Sequence, residues 1–414
     1  MRRIRINAKW INGIMDFWNV VLPKLQQSNI PLIPKNVALT AGLCLLLLGG
    51  DLFAEKTVRR IVPGVRLILE TVPEKPWSIQ VLEIDLKQKQ LAFETVKALD
   101  NIVGRETTSA MSSRSNRKNR RVIAAINGDF FSTEGRTVNL QIRNGEILRP
   151  PAERSVFFID ESGKPSIDIF HLEARLTVND STWFPIKSVN TQRGEDALIF
   201  FNHYWGGDTG TNEFGREVRI RPLERFCVNR KLDMLVGERR LDGPAMPLHN
   251  GTYVLSGHGE AASFLENYAA TGDTVQVSFD LEPGETGIVQ AIGGIPRLIK
   301  NGRIQIDWRE EGAKESFAFL RHPRTAIGYT AQADTVYLMT VDGRQENYSV
   351  GMTLLELATH LKNLGCTEAL NLDGGGSTTM IVENQIVNRP SDAAGERPVA
   401  NALLLIWLEE IKYP

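Results

Sequence analysis

Beyond residue 55 the hydrophobic positions fall in short runs, alternating or continuous, separated by glycine, asparagine and aspartate. Ile79, Val81 and Ile84 mark a strand over residues 77–84, because side chains two apart share one face of a pleated strand. Runs at 64–69 and 86–96 predict strands on either side of it. Residues 122–126 are wholly apolar, as in a strand covered on both faces. Further strands are expected at 138–142, 146–148, 156–159, 167–170, 174–178, 197–201, 275–281, 288–292, 335–341, 385–387 and 399–407. Residues 297–304 read as strand, Asn-Gly turn and strand.

The period changes at Thr353-Leu354-Leu355-Glu356, a capping box that opens a helix. Leu354, Leu357, Ala358, Leu361 and Leu364 lie on one face of it, and Gly365 is placed to end it. Residues 107–121 carry Arg114, Arg117, Lys118, Arg120 and Arg121 with no acid. They read as a helix with a solvated basic face, or as a polyanion site. The fold class expected is α+β: a β-rich mixed-sheet core with a few packing helices.

Residues 1–36 are basic, and residues 37–48 are uncharged and apolar. That run is short for a spanning helix and suits a signal-peptide core. The division expected is a basic segment (1–36), a signal or anchor segment (37–54) and one large domain (55–414), with 55–120 a candidate N-terminal subdomain. The protein is expected to be exported, periplasmic or extracellular. If uncleaved, residues 37–49 anchor it to the membrane, with the basic flank in the cytoplasm.

Lysine and arginine number 48 against 49 acids, so no global charge draws nucleic acid, and none is expected as a partner. Of three cysteines, Cys44 lies in the apolar run; Cys227 and Cys366 are either buried thiols or one disulfide.

The stretch with most chemistry is Asn371-Leu372-Asp373-Gly374-Gly375-Gly376-Ser377-Thr378. A strand runs into a carboxylate, and three glycines let a ligand approach the backbone. Their N–H groups could converge on an anion. Asn127 and Asp129 end the 122–126 strand in the same manner. Arg324 enters a strand with few acids nearby, so it wants a carboxylate or phosphate to fork. His322, Asp342 and Arg344 are further candidates. Tyr204 and Trp205, in a polar loop, could stack on a sugar or fill the core beneath it.

Taken together, residues 125–131, 293–298, 324–328, 342–344, 351–358, 371–380 and 397–403 resemble, in order, the motifs of the phosphodiester glycosidase family. The chain departs from that pattern at Asp129, where a glycine is usual, and at Ile295, where a small residue is usual. The resemblance implies hydrolysis of a sugar-1-phosphodiester, for example of N-acetylglucosamine on cell-envelope glycans, with no cofactor. A phosphorylated glycan would be the substrate. It casts Asp373 as the carboxylate at the anomeric carbon, with Asp342 and Asp129 as further catalytic candidates. Arg324 and the amides of Gly374, Gly375, Gly376 and Ser377 would hold the phosphate. Asn127, Asn371, Thr378, His322 and Arg344 would complete the substrate site. Two other readings fit the same residues. Asp129, Asp342 and Asp373 could hold divalent cations in a phosphoesterase or nuclease, or the chain could bind envelope polysaccharide without catalysis.

Overall fold

Strands dominate the computed structural model, which describes residues 55–409 apart from 180, 242–244 and 285. The basic and apolar segments expected over residues 1–54 lie outside the described residues.

The first sheet has eight strands in the order Glu55–Val62, Val65–Val72, Trp77–Asp85, Thr335–Val341, Arg324–Tyr329, Glu368–Asn371, Arg297–Lys300 and Arg303–Ile304. The second has five: Gln385–Ile386, Met380–Val382, Arg120–Asn127, Asn401–Leu408 and Leu91–Lys97. The third runs Glu146–Arg149, Gln141–Arg143, Ile288–Gly293, Ser155–Asp160 and Pro165–Ile169. The fourth, again eight strands, is built only from chain between His171 and Glu282. It is therefore an insertion between the last strand of the third sheet and that sheet's central strand. Among the described residues the named strands pair antiparallel, except Ser188–Val189 beside Leu198–Phe201.

The apolar run at 122–126 is buried on both faces. Ile123 and Ile126 join Leu82, Phe157, Ile292 and Leu370 between the sheets. Val122 and Ala125 pack with Val96, Leu404 and Met111, the last from helix Thr108–Arg114. Helix Leu354–Asn363 lays Leu354, Leu357, Ala358 and Leu361 on Ile79, Val81 and Met339 of the first sheet. Its capping box forms, and Gly365 takes φ +95° beyond its end. Covering both faces of a strand removes the polar side of its alternation, so 122–126 reads as continuous apolar chain.

The structure decides several points that the sequence left open. The helix expected over 107–121 stops at Arg114, because Arg120 and Arg121 pair with Leu408 and Trp407 in the second sheet. Two of the five cations there are paired, Arg114 with Asp100 and Glu106 and Arg120 with Glu94. Residues 55–62 form an edge strand of the first sheet. Tyr204 and Trp205 turn inward, Tyr204 against Ile102 and Leu148, and Trp205 against Phe201 with its indole N–H on the Thr209 carbonyl. Stacking on a sugar loses its support. Cys227 and Cys366 are separate buried thiols. Among the described residues no helix is long and apolar enough to cross a membrane.

Candidate active site

Three sheets send strand ends to one place. Asn127 ends a strand of the second sheet and Gly293 one of the third, while Asn371 ends and Arg324 begins strands of the first. The ends are stitched together. The Asp373 amide donates to the Gly128 carbonyl at 2.9 Å, and Asn127 Nδ2 donates to the Asp373 carbonyl at 2.6 Å. Asn127 Oδ1 accepts from Thr325 Oγ1 at 2.7 Å and from the Thr379 amide at 3.1 Å. Asn371 Nδ2 donates to the carbonyls of Ile295 and Leu372. Both asparagines, expected at the substrate, are thus occupied as struts that set the turn. Asn371 Oδ1 is left buried without a partner.

Two carboxyl groups stand at this junction. Asp129 is 3 % exposed. Its amide donates to Asn401 Oδ1, and its Oδ2 accepts from the Asn139 amide, each at 2.8 Å. Burial pushes its pKa up to about 7; the Asn139 and Phe130 amides pull it down, and the charge of Asp373 pushes it up further. Asp373 is half-buried, and its Oδ1 accepts from the Gly374 amide at 2.9 Å. Burial raises it to about 6, against the Ser377 hydroxyl, the Gly374 amide, Arg397 and Arg344.

Asp342 does not join them. Its Oδ1 accepts from the Arg389 amide and Asn388 Nδ2, and its Oδ2 from Ser78 Oγ, Gln80 Nε2 and the Tyr348 hydroxyl. Five donors on a carboxylate 1 % exposed describe a cross-link. Asn388 extends it to the Thr378 carbonyl, behind the glycine turn. Among the described residues no group of three or more His, Cys, Asp or Glu side chains could hold a metal ion.

The turn itself is one 3-10 turn, Gly375–Ser377. Its glycines answer to crowding and conformation. Gly375 has φ +61°, and a Cβ on Gly374 would stand 2.6 Å from the Pro323 carbonyl oxygen. A Cβ on Gly376 would collide with Arg397 and Asp392. Three of the four amides expected to face an anion already have acceptors. The amide of Gly374 bonds Asp373, that of Gly375 the Pro323 carbonyl and that of Ser377 the Gly374 carbonyl. What surrounds the turn instead is arginine. Arg344 reaches over Gly375, its guanidinium nitrogens 3.1 Å from where a Cβ would be. Arg397 flanks Gly376 and is held bidentate by Asp392 at 2.7 and 3.0 Å. Arg344 has no carboxylate partner among the described residues; its Nη2 lies 3.3 Å from His322 Nδ1. Burial and the two arginines, Arg324 and Arg344, hold His322 below its ordinary pKa. The hydroxyls of Thr378 and Thr379 are buried and unpartnered.

Arg324 has a different surrounding from the one expected. It is fully buried, with Nε on the Met352 carbonyl and Nη2 on those of Phe317 and Leu320, and its guanidinium lies over the Phe317 ring. Burial, then Arg344, lowers it to about 9. Only Nη1 lacks a partner.

Beside Asp129 opens a cleft of about 390 Å³ lined by Phe130, Arg154, Ile295, Lys314, Phe317 and His322. Phe130 and Phe317 meet edge to face at 5.7 Å. The charged segment 309–316 supplies part of this wall. Glu311 within it is buried on Ser155 and the Arg297 amide.

Sequence reasoning missed Asn139, Arg154, Gly293, Arg397 and Asn401. Gly293, Arg397 and Asn401 sat inside segments already singled out as motifs. Their roles depend on contacts across sheets that no local pattern records.

Residues 237–406 match the phosphodiester glycosidase family. A 113-residue segment is 33 % identical to N-acetylglucosamine-1-phosphodiester alpha-N-acetylglucosaminidase of Mus musculus. That segment covers 25 % of this chain and 21 % of the mouse protein, so the chain matches about a fifth of its relative's length. A solved structure of a hypothetical protein from Synechocystis aligns with TM-score 0.65 and 17 % identity over 85 % of this chain and 64 % of that one. A Burkholderia pseudomallei protein described as exported aligns with TM-score 0.59 and 24 % identity over 80 % and 74 % of the two chains. These two likenesses are of fold.

Proposed function

From the likeness of residues 237–406 to phosphodiester glycosidases, we propose that this protein is a hydrolase of sugar-1-phosphodiesters. Its substrate is a phosphate-linked sugar such as N-acetylglucosamine on an exported cell-envelope glycan. The observation that carries the reading is the position of Asp373. A carboxylate at the end of a strand stands beside a glycine turn crossed by Arg344, a guanidinium with no carboxylate partner among the described residues.

In this reading Arg344 takes the non-bridging phosphate oxygens, because a free guanidinium forks a phosphate. Asp373 delivers electrons to the anomeric carbon through a water. The water oxygen bonds to that carbon and its proton passes to Asp373. The sugar–oxygen bond breaks with its electron pair on the phosphate oxygen. The departing phosphomonoester gains a negative charge, which a preorganised cation stabilises more than it stabilises the bound diester. Asn127 and Asn371 hold the turn, and Asp342 braces it from behind. Arg324 keeps the 317–320 segment and the Met352 carbonyl in place.

Hydrolysis in 18O-labelled water tests this. Label in the released sugar supports it; label in the phosphate means phosphorus–oxygen cleavage and overturns it.

A further inference from the structure

We propose that Asp129 is a second working carboxyl group of this site, the proton donor to the leaving oxygen. The protein then also cleaves O-glycosides whose leaving group is an ordinary alcohol. The inference rests on the reading above for where the anomeric carbon lies.

The carboxyl is built in with care for its position. Its own amide is held by Asn401 Oδ1, and Asn401 is in turn fixed by donating to Gln141 Oε1 at 3.1 Å. One oxygen, Oδ2, is pinned by the Asn139 amide. Gly293 leaves the slot: a Cβ there would stand 2.8 Å from that oxygen. Asp373 is arranged alike, one oxygen on the Gly374 amide, and the two loops are joined by the Asp373 amide on the Gly128 carbonyl. Neither carboxyl is in an ion pair among the described residues. A buried acid with no cation bound to it costs stability, and such groups gather where chemistry needs them.

The surroundings divide the labour. Asp373 faces Arg397 and Arg344, which favour its charge. Asp129 faces the charge of Asp373 as well as Arg154 and Arg149, and it is the more deeply buried. Asp373 therefore ionises first, and Asp129 keeps its proton. A phosphate leaves without that proton; an alkoxide needs it. In the added reaction a water oxygen bonds to the anomeric carbon and its proton passes to Asp373. The glycosidic bond breaks onto the alcohol oxygen, which takes the proton of Asp129. Phe130, the next residue, opens onto the cleft, where the alcohol has room to leave.

The test uses the full chain, as wild type, Asp129→Asn and Asp373→Asn, with melting curves to confirm folding. The substrates are methyl α-N-acetylglucosaminide, the p-nitrophenyl α-glycoside and a methyl phosphodiester of N-acetylglucosamine-1-phosphate. We expect the wild type to cleave all three. Asp129→Asn should lose at least 100-fold more on the methyl glycoside than on the other two, and Asp373→Asn should lose on all. A wild type that cleaves the phosphodiester but not the methyl glycoside overturns the inference and spares the proposed function. So does an Asp129→Asn that slows all three by one factor. A chain that cleaves both glycosides with that selective loss, but no phosphodiester, keeps the inference and removes the phosphodiester reading.

Discussion

The backbone amide of Asp373 is bonded to the carbonyl of Gly128 at 2.9 Å, so two loops from different sheets are locked together at the point where each presents a carboxyl group. This bond fixes the spacing of Asp129 and Asp373 through the main chain, without relying on long flexible side chains. Short side chains on rigid strand tips keep reacting groups in register, which is where much of a catalyst's advantage over free groups in solution originates.

The first prediction concerns stability. Both carboxyl groups have folded pKa values above the unfolded value near 4, at about 7 for Asp129 and about 6 for Asp373. A raised carboxyl pKa means the folded state binds the proton more tightly, so stability falls as pH rises from about 4 through those values. Asp129→Asn and Asp373→Asn should each melt higher than wild type at pH 8, by roughly 5 °C. The gain should shrink towards pH 5. Thermal melts at the two pH values check this; equal or lower melting at pH 8 refutes it.

Activity should carry the same pair. On a phosphodiester, kcat/KM should rise as Asp373 ionises, with an apparent pKa near 6, and then level off. The groups facing Asp373 are Asp129, Arg344 and Arg397, and those facing Asp129 are Asp373, Arg154 and Arg149. With an alcohol leaving group a second limb should appear, falling above about 7 as Asp129 loses its proton. These apparent values belong to the coupled pair. Rate profiles from pH 4.5 to 9 on both substrates decide it.

The two arginines should part company. Arg344→Ala should lower kcat/KM on a phosphodiester by about 100-fold or more, and on a p-nitrophenyl glycoside far less. Arg324→Ala removes donors from three carbonyls, one of them buried, and the ring contact with Phe317. It should destabilise the protein by about 3 kcal/mol or more and slow both substrates alike. A substrate-selective loss in Arg324→Ala would return the phosphate to that residue.

Gly293→Ala tests the slot around Asp129. The added methyl would stand 2.5 Å from Asn139 Cβ and 2.8 Å from Asp129 Oδ2, too close to either. We expect a cost of about 1–3 kcal/mol in stability. The methyl glycoside should lose more activity than the phosphodiester. Unchanged turnover of the methyl glycoside would show that Asp129 is not held by this contact.

The local sequence determined much of this protein. Alternation at 77–84, the capping box at Thr353 and the Asn-Gly turn at 301 each act through neighbours in the chain, and each formed as expected. The strand leading into Asp373 also followed from its own residues, and the ordered motifs were enough to indicate the family. The tertiary structure decided what the polar residues do. Asn127, Asn371, Asp342 and Arg324 have the composition of a binding site, yet each is engaged by partners from other segments of the chain. Among the described residues Arg344 has no carboxylate partner, whereas Arg397 is held by Asp392 and Arg324 by three carbonyls. Strand propensity is a local quantity and can be read along one chain. The availability of a side chain depends on which groups arrive from elsewhere to satisfy it, and only the folded arrangement of the sheets settles that.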